Sequence, residues 1–214
     1  MILGSGRFCP DFRTVPLLPY TRRIGGNSFR KRVKEMRAEY IKREAARLKA
    51  RFDTVDLFRI CEALKIRVSR APMGRNRDSC KGFFLVNARC KLIMLNSDLA
   101  DEVQRIILAH ELGHAVLHCS PALRTFHEFA LLDEADRMEY EANVFAAEFL
   151  VADEDALAAF GEQMTLFQAS SYLGVPPELL DFKARLLEKE GYPVRAQHIA
   201  RGGFLRRDIS KPLN

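Results

Sequence analysis

No stretch of this 214-residue chain stays apolar for the roughly 20 residues that a membrane-spanning helix needs. Its start, MILGSGRFCPDFR, lacks the apolar core behind a lysine or arginine lead that marks a secretory leader. Cysteine is sparse and odd in number, and Cys9, Cys61, Cys80, Cys90 and Cys119 show no C-x-x-C spacing. That pattern favours reduced thiols over a disulfide framework or a cysteine zinc site. The expectation is a cytoplasmic protein. At 48% hydrophobic and 29% charged residues, the chain suits one compact domain with an appendage.

The net charge of +6 conceals two opposed blocks. Residues 1–51 carry 14 Lys and Arg against 4 Asp and Glu, a balance of +10, whereas residues 101–160 carry 3 Arg against 13 acidic residues, a balance of −10. A basic arm beside an acidic centre can contact nucleic acid or can complement the acidic part of the same molecule, and charge runs are more often of the second kind. The DNA or partner contacts to consider are Arg30, Lys31, Arg32 and Lys34.

Only 5 histidines are present, and three of them fall in ILAHELGHAVLH, residues 107–118. The run reads as a buried helix holding H-E-x-x-H. Positions i and i+4 share a helix face, so His110 and His114 can reach one metal ion. Glu111 lies about 100° round the helix from His110, close enough to touch a water on that metal. Gly113, between the ligands, costs helical stability of roughly 1 kcal/mol relative to alanine and suggests close approach by another backbone or helix.

Around this motif the chain reads as an α+β domain. Residues 1–27 form a lead-in rich in proline and glycine, with no sustained periodicity. A long basic helix starts at Ser28, its stripe being Phe29, Val33, Met36, Tyr40, Leu48 and Phe52. Asp53 or Thr54 caps a second helix carrying Leu57, Phe58, Cys61 and Leu64. Strands are predicted at 66–73, 82–87 and 91–96, the last two as a hairpin, giving a small antiparallel sheet on the metal-bearing helix. An edge of such a sheet can hold an extended peptide by main-chain hydrogen bonds. The H-E-x-x-H helix follows at 98–118 and another at 134–151, within a domain spanning 28–160. Residues 161–190 read as a helical hairpin in which Ser170, Gly174 and Leu180 fit a helix-turn-helix. Lys183 stands where that motif wants an apolar residue. A hairpin that closes the domain is the plainer reading, and the tail, 191–214, is basic.

A catalytic zinc keeps three protein ligands and one open position. His118, Cys119, His127, Glu139 and Glu141 are the candidates for the third. His118 is one turn too far along the axis, and Cys119 suits a small buried side chain. Ser120 occupies the position where a metzincin has its third histidine. Glu139 and Glu141 both qualify, and lie about 200° apart on a helix, so only one can face the metal. Tyr140, His127 and His198 are the candidates for stabilising the oxyanion. Two histidines and a glutamate suit zinc, and also manganese or another divalent ion.

The series GFFLV, KLIMLNSDL, ILAHELGHAVLH and EYEANVFAAEFLV resembles the ImmA/IrrE family of metallo-endopeptidases over roughly residues 30–190. The resemblance implies a gluzincin-like α+β domain followed by a helix-turn-helix-like segment, with no sensor domain expected in the chain. It also implies Glu141, the glutamate directly before Ala-Asn, as third ligand, and a substrate that is a helix-turn-helix repressor of the phage type. The competing expectations are a DNA-binding regulator using residues 166–187 and the basic helix, and an adaptor that grips a repressor without cutting it.

Overall fold

The computed structural model describes residues 27–76, 79–87, 90–118, 132–162, 164–197 and 199, with side chains from residue 37 in the first helix and from residue 137 in the fourth. Among these, the order is α1 (Asn27–Phe52), α2 (Leu57–Ala63), β1 (Ile66–Ala71), β2 (Gly82–Asn87), β3 (Cys90–Asn96), α3 (Asp101–Leu117), α4 (Leu132–Leu150), α5 (Asp153–Gly161), α6 (Leu166–Leu173) and α7 (Pro177–Glu190).

In α1 the buried positions are Ile41, Ala45 and Leu48, spaced by four and three as a helix stripe requires. Tyr40, expected in that stripe, is exposed. Asp56, and neither Asp53 nor Thr54, caps α2 by accepting hydrogen bonds from the amides of Phe58 and Arg59. Asp53 has φ +46, a left-handed conformation that ends α1 and cannot serve a cap, which needs extended backbone.

The sheet has the order β1-β3-β2. β2 and β3 form the expected antiparallel hairpin, with Phe84 opposite Ile93, but β1 runs parallel to β3, so the sheet is mixed where an all-antiparallel one was expected. The central place goes to the strand that can be buried deepest: Ile93 and Leu95 of β3 are wholly buried. Asn96 closes that strand without becoming a helix cap. Its Nδ2 donates to the carbonyls of Gly74 and Cys80, and its Oδ1 accepts from the amides of Met73 and Asp98, so this buried amide fastens the β1–β2 connection.

α3 lies between the sheet and α4 and supplies Leu108, Ala109 and Leu112, all wholly buried, to a core shared with Phe84, Phe145 and Ala146. Its N-cap is Ala100, with no side-chain hydrogen bond. α5 has no counterpart among the expected helices. Its signal is Asp153, Glu154 and Asp155 in the first turn, where negative charge favours a helix start. Thr165 and Gln168 form a capping box at α6.

α6 and α7 make the expected hairpin, but α7 is buried on nearly every side: from Leu179 to Leu187 only Arg185 is not. The deviant Lys183 explains this packing. Its side chain is fully buried, with Nζ 2.7 Å from Glu148 of α4 and also paired with Asp153 at the start of α5. Lys42 of α1 extends the network to Asp153 (2.7 Å) and Glu190 (2.6 Å). Burial alone would raise the Asp153 carboxyl, but hydrogen bonds from Lys183 and Lys42 outweigh it and hold the group below its ordinary value. Lys183→Met therefore leaves Glu148 without its buried cation and should cost about 3–5 kcal/mol in a urea unfolding experiment. Adding Glu148→Gln should recover much of that loss, because the unpaired charge goes with it.

Candidate metal centre

α3 and α4 cross at Gly113. A Cβ built there would lie 3.1 Å from Phe145 Cβ and 3.2 Å from Ala142 Cα, so the glycine is what lets the two backbones approach. On the other side of α3, a Cβ at Gly82 would stand 2.5 Å from Ile107 Cγ2, which presses the start of β2 onto the same helix.

Above the crossing, His110 Nε2 and His114 Nε2 are 3.1 Å apart. The third group facing them is Glu139 of α4, with Oε2 3.3 Å from His110 Nε2 and Oε1 3.5 Å from His114 Nε2. A tetrahedral ion bound at about 2.0–2.1 Å keeps its ligand atoms about 3.3 Å apart, so the spacing and chemistry of these donors fit a zinc-like divalent cation. Among the described residues, His110, His114 and Glu139 are the group able to hold a metal ion. Burial alone would raise the Glu139 carboxyl; its hydrogen bonds with His110 and His114 win and hold it well below the ordinary carboxylate range.

Glu141, expected as third ligand, is turned elsewhere. Its Oε2 lies 3.1 Å from His118 Nε2, and Arg37 of α1 engages it at both oxygens, Nη2 to Oε2 at 2.7 Å and Nε to Oε1 at 2.6 Å. Two residues apart on a helix, the carboxylates take opposite flanks: Glu139 meets the histidine pair, and Glu141 meets α1 and the end of α3. Of the two carboxylates, Glu139 is the one that lies beside the histidine pair.

Glu111 is buried beside the cluster and carries a carboxyl pushed up to about 7. Desolvation is the main cause; His114 opposes it, Glu139 adds to it, and the backbone N–H of Phe84 in β2 opposes it by donating to the carboxylate. Tyr140 packs its ring on Phe182 of α7, 5.5 Å between centroids, with its hydroxyl 3.4 Å from Lys189 Nζ, so these contacts are with α7 and not with the histidines. His127, His198 and Cys119 lie outside the described residues, as do the side chains of Arg30, Lys31, Arg32 and Lys34. Arg37 and the Phe84 amide carry no motif of their own, and only the fold brings them here.

A profile of the Peptidase M78 family, described as the IrrE N-terminal-like domain, matches residues 61–185, more than half the chain. The chain belongs to the ImmA/IrrE family. An uncharacterized immunity region protein 2 of Bacillus phage phi105 is 32% identical to it over 144 residues, covering 67% of this chain and 88% of that protein. Metallopeptidase ImmA of Bacillus subtilis (strain 168) is 24% identical over 147 residues, covering 61% of this chain and 75% of that protein. Among the described residues no helix is long and apolar enough to cross a membrane. Membership of a metallopeptidase family agrees with the donor set assembled from α3 and α4, and implies a divalent metal.

The raised Glu111 carboxyl has a measurable consequence in metal-stripped protein. A folded value above the unfolded 4.5 means that its contribution to stability is complete below pH 4.5 and is lost as pH rises through about 7. Glu111→Gln, with no charge to desolvate, should match the parent near pH 4 and exceed it by about 3 kcal/mol near pH 8, read from urea midpoints in excess chelator.

Proposed function

We propose that the protein is a metal-dependent endopeptidase in which His110, His114 and Glu139 hold a divalent cation, zinc by preference and manganese as the alternative, and Glu111 moves the proton. The observation that carries this reading is the convergence of three ligand atoms beside the buried carboxyl of Glu111. A purely structural metal would have no need of Glu111. Bound there, the cation supplies Lewis acidity that acidifies a water and polarises the scissile carbonyl.

The chain's own groups do the rest. Glu111 accepts the proton of the attacking water and then delivers it to the leaving amine, as general base and then acid. The Phe84 amide fixes one carboxylate oxygen, which leaves the other for proton transfer. β2 is an edge strand, so an extended peptide can add to it by main-chain hydrogen bonds and pass beside Glu111.

We further propose a helix-turn-helix repressor of the phage type as substrate, cleaved to release genes of a mobile element or a stress response. The family resemblance supports this, and the immunity-region name of the phage relative agrees with it. The reading as a DNA-binding regulator is weakened by α7, the helix that would enter a groove, because its central residues are buried in the protein. An adaptor that only grips a repressor leaves Glu111 without a purpose.

One assay separates these readings. Incubated with a phage-type helix-turn-helix repressor, the protein should yield a specific fragment, abolished by chelator and restored by zinc. Glu111→Gln should bind metal and produce no fragment, and His114→Ala or Glu139→Ala should lose both. A Glu111→Gln protein that still cuts would sink the mechanism, whereas salt-sensitive DNA binding without any fragment would favour the regulator.

A further inference from the structure

Behind His114 the side chains continue in a line. His114 Nδ1 is 3.1 Å from His118 Nδ1, His118 Nε2 is 3.1 Å from Glu141 Oε2, and Glu141 is clasped by Arg37. We propose that His118, Glu141 and Arg37 form a positioning chain that fixes the tautomer and orientation of His114, so that its Nε2 lone pair faces His110 and Glu139. The inference rests on the metal-site reading above and assigns to Glu141 a role behind the ligands in place of one among them.

When His114 Nε2 gives its lone pair to the ion, as the proposed site requires, the hydrogens along the line fall into place as follows. A carboxylate paired with a guanidinium accepts only, so the nitrogen facing it, His118 Nε2, carries the hydrogen. A neutral imidazole then has Nδ1 as acceptor, and the hydrogen between the two rings belongs to His114 Nδ1. His114 Nε2 is left unprotonated, as a metal ligand requires. Every link has one donor and one acceptor, and the tautomer of the ligand is set by a charge three groups away.

Position in the chain gives the line a further meaning. Arg37 stands on α1, outside the residues 61–185 that match the family, and is 104 residues from Glu141. Docking α1 on α4 therefore adds the Arg37 guanidinium to that of Arg137, which reaches Glu141 Oε1 at 3.5 Å from within α4. His110 receives no equivalent support, because its buried Nδ1 has no hydrogen-bond partner among the described residues. Of the two histidines, His114 is the one held from behind.

The test uses the full-length protein and zinc alone, with affinity measured by chelator competition and the hydrogen-bonded His114 Nδ1–H followed by its downfield proton NMR signal in the zinc-loaded protein. His118→Phe keeps the ring volume but neither polar atom, and should weaken zinc about 10- to 100-fold while that signal is lost. His118→Gln, with one acceptor and one donor, should recover part of the affinity. Arg37→Met, at a partly exposed helix position where folding is not at stake, should weaken zinc several-fold. Unchanged affinity and an unchanged Nδ1–H signal in His118→Phe and Arg37→Met would overturn the chain while leaving the metal site standing. Glu141→Ala losing zinc as completely as Glu139→Ala would overturn it differently, by returning Glu141 to the ligand set. Wild-type affinity in His114→Ala would remove the metal-site reading and the chain with it.

Discussion

The site depends on how closely α3 and α4 approach at Gly113. With the Ala142 backbone and the Phe145 side chain within 3.2 Å of where a Cβ would be, a side chain at 113 requires these neighbours to give by a few tenths of an ångström. Cores transmit such a shift and do not absorb it, because they are packed like solids. Glu139 rides on α4 less than one turn before Ala142, so a shift of the helix there would change the spacing of its carboxylate from the histidine pair. On the far face, Gly82 holds β2 to Ile107 and thereby keeps the Phe84 amide within reach of Glu111. Two glycines thus set the distances on both flanks of one helix, and the helical stability lost at Gly113 is the cost of that geometry.

The opposed charge blocks of the sequence meet within the molecule. Arg37, Lys42 and Lys49 of the basic α1 meet Glu141, Asp153 and the backbone carbonyl of Glu148 in the acidic half. Exposed pairs of this kind contribute little, and buried ones are better understood as specifying an arrangement than as adding net stability. Here the arrangement is the docking of helices distant in sequence. Lys183 joins α7 to α4 and α5, and Arg37 joins α1 to the carboxylate behind His118. A charge that can be satisfied in only one packing excludes the alternatives that apolar contacts would tolerate.

Legibility in the sequence followed the range of the interaction. The H-E-x-x-H helix, the β2–β3 hairpin and the close approach at Gly113 rest on spacings within a few residues, and the structure agrees with each. The parallel pairing of β1 with β3 does not, because which strand takes the centre depends on burial of the whole sheet. Glu139 and Glu141 show the same limit. Helical geometry says that one carboxylate alone can face the metal, but choosing it requires the rotation of α4 about its own axis, which is set at Ala142 and Phe145 by contacts from α3. The motif that suggested Glu141 contains Glu139 two residues earlier, so the two assignments differ only in the phase of α4. Lys183 was visible as a departure from the helix-turn-helix pattern, and the departure was informative: a lysine at an apolar position marks a helix that packs through a buried ion pair.

The electrostatics of the cluster set its two buried carboxyls apart. Without a cation, the Glu111 carboxyl is driven up by burial and by Glu139, while Glu139 is held ionised by the two histidines. The two carboxyls are therefore shifted in opposite directions despite their shared surroundings. A divalent charge placed among His110, His114 and Glu139 lowers the pKa of every neighbouring acid, and Glu111 is the neighbour with most to lose. In the proposed enzyme, a cation held by these residues would favour the ionised, base form of Glu111 against the burial that disfavours it. The Phe84 amide favours the ionised form and connects it to the edge strand on which a peptide would lie.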